Sequence, residues 1–177
     1  MIMRNMTCND KLVLLPLYKA LIRPVLEYGN VVWSPYHKKY ITLIENVQRH
    51  FTKRILGMKN LTYEERLENL KLPSLVYRRM RGDLIEVFKI LNNIYDKVTT
   101  NSIFTLDHTN RTRAHNYKLT KNRVNSKKFQ NFFSNRIINR WNKLPEAIVN
   151  SDSLNMFKSG LDRHYRKYQY STSIVHD

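Results

Sequence analysis

The spacing of the apolar residues is the feature that most constrains the fold of this chain. Leu, Ile, Phe and Tyr recur at steps of three and four through most of the 177-residue sequence, which is the period of an α-helix. Only four glycines and five prolines interrupt the pattern, and an all-β protein would need more tight turns than these can make. The sequence therefore predicts a mainly α fold, a bundle-like array of about five to seven helices with a short extended basic segment.

Local signals place the helix ends. Ser34 followed by Pro35 predicts the start of the second helix, with the serine as N-cap. Thr62 and Glu65 match a capping box, and Pro24 should kink or end the first helix. The predicted helices cover residues 11–28, 35–56, 63–70, 74–95, 126–143 and 153–168.

Two of these helices carry packing signals. Gly82 lies within the helix over 74–95, where it costs about 1 kcal/mol relative to Ala, so we expect close packing against another helix there. The helix over 126–143 has one apolar stripe, which predicts a face turned to the core. The stripe residues are Phe129, Phe133, Ile137 and Trp141.

Basic residues are concentrated towards the two ends of the sequence. The chain has 31 Lys and Arg against 14 Asp and Glu, a formal net charge of +17. Residues 61–96 carry equal numbers of basic and acidic side chains, whereas the stretch from Arg111 to Lys143 holds ten basic residues and no acidic one. From charge and the irregular composition after residue 96 we predict three regions. They are a helical subdomain over 1–96, a basic linker with an extended segment over 97–125 and a C-terminal helical subdomain over 126–177.

This excess of positive charge favours a polyanionic partner, most commonly nucleic-acid phosphate. Over residues 117–124 the character of the side chains alternates at a period of two, which predicts extended backbone with Lys and Arg on one edge. Tyr117 and Phe132, which lie off the core stripe, are candidates for stacking on bases. The alternative is that the charge is only a solvated face. The candidate phosphate contacts are Arg111, Arg113, Lys118, Lys121, Arg123, Lys127, Lys128, Arg136 and Arg140, with Lys39, Arg49 and Lys53 as a weaker second group.

The residues that common catalytic and metal sites require are missing. A helix cap accounts for the adjacent acidic pair Glu64-Glu65, the six histidines show no metal-ligand spacing, and no Gly-rich phosphate loop occurs. Cys8 is the only cysteine, which excludes an internal disulfide and a Cys-based zinc site. We therefore expect no enzymatic activity, no metal or other cofactor and no small-molecule substrate.

The sequence also bears on the compartment. It has no apolar run long enough to span a bilayer, and its first ten residues lack the apolar core of a signal peptide. A single cysteine is typical of a reducing compartment. We expect an intracellular protein, nuclear or cytoplasmic, with no membrane partner.

Three ordered blocks of sequence carry a resemblance to a known family. They read R-P-V-L-E-Y-G-x-x-V-W-S-P over 23–35, L-P-S-L-x-Y-R-R-x-R-G-D over 72–83 and N-R-W-N-K-L-P over 139–145. With these blocks the chain resembles, over most of its length, the C-terminal region of reverse transcriptases from jockey-like non-LTR retrotransposons. In that family the region lies downstream of the catalytic palm. The resemblance implies that residues 1–96 are thumb-like and that template RNA or an RNA–DNA hybrid is the partner.

The same resemblance bears on catalysis. The palm's Y-x-D-D hairpin, which carries the metal-binding aspartates of an RNA-directed DNA polymerase, is missing from these 177 residues. The resemblance thus implies a noncatalytic, nucleic-acid-binding fragment of a retrotransposon protein. Two alternatives stay open. The chain is a structural module that docks onto an absent reverse transcriptase core and exposes an apolar patch on its own, or it is a retroelement remnant without function.

Overall fold

In a computed structural model of the chain, the described residues are 9–95, 103–107 and 115–172. This part of the chain is mainly helical and contains no β-strand, only an isolated antiparallel bridge between Leu106 and Leu119. The predicted fold class is therefore confirmed. The helices in chain order are α1 (Lys11–Leu17), a π-helix (Tyr18–Ile22), α2 (Arg23–Glu27), α3 (Lys38–Lys53), α4 (Tyr63–Leu70), α5 (Leu75–Leu91), α6 (Lys127–Gln130), α7 (Phe133–Arg136), α8 (Ile138–Asn142), α9 (Glu146–Val149), α10 (Leu154–His164) and a 3₁₀-helix (Arg166–Tyr168). None of the helices in the described ranges combines the length and apolar character that crossing a membrane requires.

The helices are divided between two compact units. Both units join segments that lie far apart in the sequence, and α5 contributes its first turn to unit 1 and the rest to unit 2. The three regions predicted from composition are a different kind of division and stay a prediction. Among the described residues, unit 1 comprises 9–29, 35–78 and 167–172, and unit 2 comprises 30–34, 79–95, 103–107 and 115–166.

The core of unit 1 is built by the first helical run together with α3 and α4. The rings of Tyr18 and Phe51 meet at a centroid distance of 4.8 Å. Burying this apolar surface is the main favourable term in the folding of the unit. The core cluster consists of Leu14, Tyr18, Phe51, Ile55, Tyr63, Leu67, Leu70 and Leu72.

The first predicted helix is helical throughout but contains a π-helix where a kink was expected. The Arg23 amide donates to the carbonyl of Tyr18, five residues back. Pro24 follows at the start of α2, where a residue without an N–H is tolerated. The widened turn thus accommodates the proline without ending the helical run.

The second predicted helix begins later than the sequence indicates. α3 starts at Lys38 with His37 as N-cap and no side-chain cap, so the N-cap role predicted for Ser34 is wrong. Ser34 belongs to unit 2, and tertiary contacts of its neighbours compete with helix formation there: Arg79 lies over the ring of Trp33 at 5.5 Å. After α3, Gly57 has a φ of +80°, a backbone conformation that favours glycine.

The capping box before α4 is confirmed. The Glu65 amide donates to Oγ1 of Thr62 at 3.4 Å, and the Thr62 amide donates to Oε2 of Glu65 at 2.7 Å. The hydrogen bonds from Thr62 hold the pKa of Glu65 below its usual value. Such a cap lies within four residues, which is why the sequence alone could predict it.

The start of α5 depends on a carboxylate from a distant helix. Glu45 of α3 is 2% exposed. It accepts from the Leu75 amide at 3.1 Å and from the Val76 amide at 3.3 Å. The Tyr63 hydroxyl donates to the same carboxylate at 2.6 Å. A negative charge against the first turn of a helix is stabilising, because it satisfies amides that have no partner within the helix.

Ser74 completes this helix start. Its hydroxyl accepts from the Tyr77 amide at 3.1 Å and donates to the carbonyl of Ser171 at 2.8 Å. Its own amide donates to the carbonyl of Gln169 at 2.8 Å. The segment after the 3₁₀-helix is thereby joined to unit 1.

Gly82 packs closely, as predicted, but not against a helix. A Cβ at this position would lie 2.7 Å from Nδ2 of Asn30. Asn30 follows α2 in a turn, and its side-chain amide donates to the carbonyl of Arg79 at 3.5 Å. The expected neighbouring helix is therefore wrong, because a turn side chain occupies the space that the glycine leaves.

The core of unit 2 is aromatic. Phe88 of α5 stacks on Phe157 of α10 at a centroid distance of 4.3 Å, and Trp141 of α8 lies 5.9 Å from Phe157. The indole N–H of Trp141 donates to the carbonyl of Tyr117 at 2.8 Å. Burial of three residues of the predicted stripe, Phe133, Ile137 and Trp141, is confirmed.

The predicted helix over 126–143 is instead divided into α6, α7 and α8. Side-chain amides take the carbonyls that a continuous helix would use: Asn131 donates to the carbonyl of Lys127 at 2.7 Å, and Asn135 donates to that of Phe129 at 2.9 Å. Phe132 between them is extended. Asn is a residue whose side chain competes with the backbone in this way.

The last predicted helix is confirmed in position. It forms α10 and the 3₁₀-helix after it. Ser153 is its N-cap and accepts from the Met156 amide at 3.3 Å.

Candidate nucleic-acid interface

The predicted basic segment forms no helix, pairs through an isolated bridge at Leu119 and is held on unit 2 by backbone hydrogen bonds. The Asp107 amide donates to the carbonyl of Lys118, and the Thr120 amide donates to that of Thr105, both at 2.8 Å. The side chain of Asn142 bonds both the amide and the carbonyl of Leu119 at 2.9 Å. The backbone is therefore fixed just before the basic side chains begin.

Four of the predicted phosphate contacts are exposed on this segment and on α6. None of the four forms an ion pair within the described ranges, and no acidic residue occurs between positions 111 and 143. The Lys121 ammonium donates to Oδ1 of Asn139 at 3.1 Å, a neutral partner. The four residues, named the basic cluster here, are Lys121, Arg123, Lys127 and Lys128.

Lys118 and Arg140 are partly buried. The charge of Arg140 opposes the upward shift that burial gives to the pKa of Asp83, and Lys118 contributes to a lowered pKa of His115. Both cations thus face titratable groups of unit 2, which makes them weaker candidates for phosphate contact than the basic cluster.

Arg136 has a structural role instead of the predicted phosphate contact. Its guanidinium makes a bidentate ion pair with Asp83, both bonds at 2.9 Å. It also donates to the carbonyls of Asn30, Val31 and Asn131 at 2.9, 3.2 and 3.3 Å. The side chains of Arg136 and Asp83 are only 15% and 7% exposed, so this arginine is removed from the candidate interface.

Two buried titratable groups of unit 2 have shifted pKa values. Burial raises the pKa of Asp83, while the hydrogen bonds and the charge of Arg136 act in the opposite direction. Burial lowers the pKa of His115, whose Nε2–H donates to the carbonyl of Trp141 at 3.1 Å. Nδ1 of His115 has no hydrogen-bond partner within the described part of the chain. Both groups contribute to the fold of unit 2 through these hydrogen bonds.

Exposed aromatic side chains accompany the basic cluster. Tyr117 and Phe132, the predicted stacking candidates, are exposed. Phe129, predicted to belong to the core stripe, is exposed as well, so that prediction is wrong. The break between α6 and α7 is the reason, since it takes Phe129 out of the helical register of Phe133 and Trp141. Sequence reasoning had one signal for the break, the asparagines at 131 and 135.

The remaining predicted contacts lie elsewhere. Arg111 and Arg113 are outside the described residues. Lys39 and Lys53 are exposed on α3 in unit 1. Arg49, on the same helix, lies over the ring of Tyr63 at 4.7 Å, which engages its guanidinium within unit 1.

The described residues contain no group of three or more His, Cys, Asp or Glu side chains that could hold a metal ion. Cys8 and His108 lie outside them. What the site presents is positive charge and aromatic surface, which suits binding to phosphates and bases.

Comparison with known proteins gives one distant similarity to report. Over 82 residues the chain is 28% identical to an uncharacterized protein of Caenorhabditis elegans. The match covers 45% of this chain and 41% of the relative, so the chain spans about two fifths of that protein. No family of known proteins and no solved structure matches the chain.

Proposed function

We propose that this chain binds nucleic acid without catalysing a reaction, and that the basic cluster makes the phosphate contacts. One observation carries the proposal. Four cations are exposed along one short stretch of unit 2, free of ion pairs within the described ranges and free of neighbouring carboxylates in sequence. Within the described ranges no acidic side chain neutralises their charge, and phosphates would neutralise it with release of counterions.

We propose further that the chain acts as a fragment of a reverse-transcriptase-like retrotransposon protein, nuclear or cytoplasmic, that holds template RNA or an RNA–DNA hybrid. The three sequence blocks that resemble jockey-like elements support this, and a mainly helical fold suits a thumb-like role. In this function the chain uses no metal, cofactor or small-molecule substrate, and a reverse transcriptase core is its second partner.

The first test is a fluorescence-anisotropy titration of the whole chain against single-stranded RNA, an RNA–DNA hybrid and duplex DNA at several salt concentrations. Neutralising six or more phosphates predicts a slope of log K against log salt of about −4 to −6. Tight, steeply salt-dependent binding that favours RNA or the hybrid supports the proposal. Weak binding, equal for all three, contradicts a template-holding function.

Charge reversal tests the basic cluster itself. Changing Lys121, Arg123, Lys127 and Lys128 to Glu should make the slope for a single strand shallower by about 3, because each phosphate contact contributes about 0.7.

A matched control reverses four exposed cations outside the cluster and so changes the net charge equally. Its slope should stay near that of the unmodified chain. If the control makes the slope as shallow as the cluster variant does, binding follows the net charge alone and the assignment of the site is wrong. The control residues are Lys19, Lys59, Arg163 and Lys167, all exposed.

A second candidate function, docking onto a polymerase core, is favoured by the outer face of α3. Tyr40, Leu43 and Val47 lie along one side of this helix and are all exposed. Meanwhile the opposite side of α3 buries the polar Glu45 and Gln48. An apolar outer face is typical of a protein-binding helix. Light scattering in moderate salt separates the candidates, since a monodisperse monomer disfavours docking and self-association supports it.

A further inference from the structure

We propose that Phe129 and Phe132 form a platform on which the bases of a single-stranded nucleic acid stack. The proposal rests on the proposed function and deepens it by naming the substrate class as unpaired strands. It adds Phe129 and the pairing of the two rings to what the sequence predicts.

The two rings are already stacked on one another at the surface. Their centroids are 5.3 Å apart with an interplanar angle of 26°, and each residue is 57% exposed. The pair has the nearly parallel geometry that aromatic rings adopt when offset-stacked. Large apolar rings in water are unfavourable, and a flat ligand that covers them gains free energy by removing that surface from solvent.

The backbone that carries the rings is fixed. The carbonyl of Phe129 accepts from the Phe132 amide at 3.2 Å and from the side-chain amide of Asn135 at 2.9 Å. The carbonyl of Phe132 accepts from the Arg136 amide at 2.8 Å. Asn135 is itself buried, and Arg136 is tied to Asp83. Because these anchors belong to the interior of unit 2, the rings need little ordering when a ligand binds.

Charge favours a nucleic acid as the occupant. Lys127 and Lys128 precede Phe129 directly in α6, and the whole basic cluster lies within the 12 residues from 121 to 132. An acidic side chain that could balance this charge does not occur between 111 and 143. Cations beside aromatic rings are the pattern that tracks a sugar–phosphate backbone while bases stack alongside. Only unpaired bases offer a free face, so of the two proposed partners the platform fits single-stranded template RNA and not the paired part of an RNA–DNA hybrid.

The test compares two ligands with equal phosphate number, a 20-nucleotide oligothymidine and an abasic strand of the same length, each titrated by anisotropy with the whole chain. We expect the unmodified chain to bind oligothymidine more tightly than the abasic strand by about fivefold or more, the effect of stacking at least one base. The double variant Phe129→Leu and Phe132→Leu should lose this difference but keep the salt slope and its affinity for the abasic strand.

The controls keep the inference separate from the proposed function. Tyr28→Leu, an exposed aromatic in unit 1, should leave both affinities unchanged, and an unaltered circular dichroism melt shows that the double variant folds. Equal, salt-dependent binding of both strands by the unmodified chain overturns the platform and leaves phosphate binding intact. Binding of neither strand overturns both. An equal loss for both strands in the double variant also overturns the platform.

Discussion

Glu45 and Arg136 are charged residues of a kind that normally lies on a protein surface. Glu45 is nevertheless buried, the side chain of Arg136 is only 15% exposed, and both are hydrogen-bonded several times. Each satisfies backbone groups that would otherwise lack a partner: Glu45 accepts from amides of α5, and Arg136 donates to the carbonyls of Asn30 and Val31. A buried charge is tolerated only when its partners are this complete. The two residues thus fix the places where distant segments join.

Replacing Glu45 with Gln should destabilise the chain. The substitution keeps the shape but turns one acceptor oxygen into an NH₂ donor. That donor faces either the Val76 amide or the Leu75 amide and the Tyr63 hydroxyl, since these donate to different oxygens of the carboxylate. We expect the free energy of unfolding to fall by about 1–3 kcal/mol, the cost of unsatisfied buried groups. Urea denaturation followed by circular dichroism measures it.

The matched control is Glu68→Gln, an exposed position on α4. It should change the free energy of unfolding by less than about 0.5 kcal/mol. Equal effects of the two substitutions would contradict the capping role of Glu45.

At the residue scale, the exposure of the basic cluster follows from local sequence. The four residues lie in a polar stretch that no apolar pattern draws inward, and their contact with phosphate stays a prediction. Arg136 could not be assigned from sequence, since its partner Asp83 is 53 residues away. The prediction that Phe129 is buried was wrong for a related reason. The helical register on which it depended ends at a break that side-chain amides stabilise.

At the scale of elements, helix existence was easier to predict than helix continuity. The capping box of α4 acts within a few residues and was correctly predicted, and the last helix lies where the apolar spacing placed it. The start of α3 and the breaks among α6, α7 and α8 were not, because tertiary contacts override the local signals there.

Helix α5 offers a test of one such contact through Gly82. Substituting Ala should gain about 1 kcal/mol of helix stability, but the new Cβ meets the side chain of Asn30. We expect a smaller gain, or none, in the unmodified chain and the full gain in the Asn30→Ala background. The coupling between the two sites should be at least about 0.5 kcal/mol in a double-mutant cycle.

The cycle is measured by urea denaturation of the four proteins. Additive effects of the two substitutions would mean that the Asn30 side chain does not obstruct the position. The close approach described for Gly82 would then be wrong.

At the scale of the whole molecule, each unit depends on residues that the sequence places far from the rest of it. Unit 1 includes 167–172, whose Tyr170 packs against the core of that unit. Composition cannot reveal such a unit, because the shift in charge along the chain does not follow these boundaries. The predicted regions therefore follow composition along the sequence, whereas the observed units follow contacts in the fold.

Ending the chain after Arg166 should loosen unit 1 although none of its α-helices is removed. The truncation deletes both carbonyl partners of Ser74 and the packing of Tyr170. With each lost hydrogen bond contributing about 1 kcal/mol, we expect amide exchange in α3 and α4 to become faster by about tenfold or more. Hydrogen–deuterium exchange with mass spectrometry measures it, with α10 as the reference peptide. Unchanged protection in α3 and α4 would contradict the prediction.

The hydrogen bonds that Arg136 donates to a distant turn also have a consequence for the synthesis of the chain on the ribosome. Its guanidinium bonds the carbonyls of Asn30 and Val31, 106 and 105 residues earlier in the chain. At a rate of synthesis of about 5–20 residues per second, roughly 5 to 20 seconds pass between the synthesis of that turn and the synthesis of Arg136. During this interval the carbonyls of Asn30 and Val31 lack this donor. The turn is therefore open to chaperones, or to a neighbouring nascent chain, until the segment that carries Arg136 has been made.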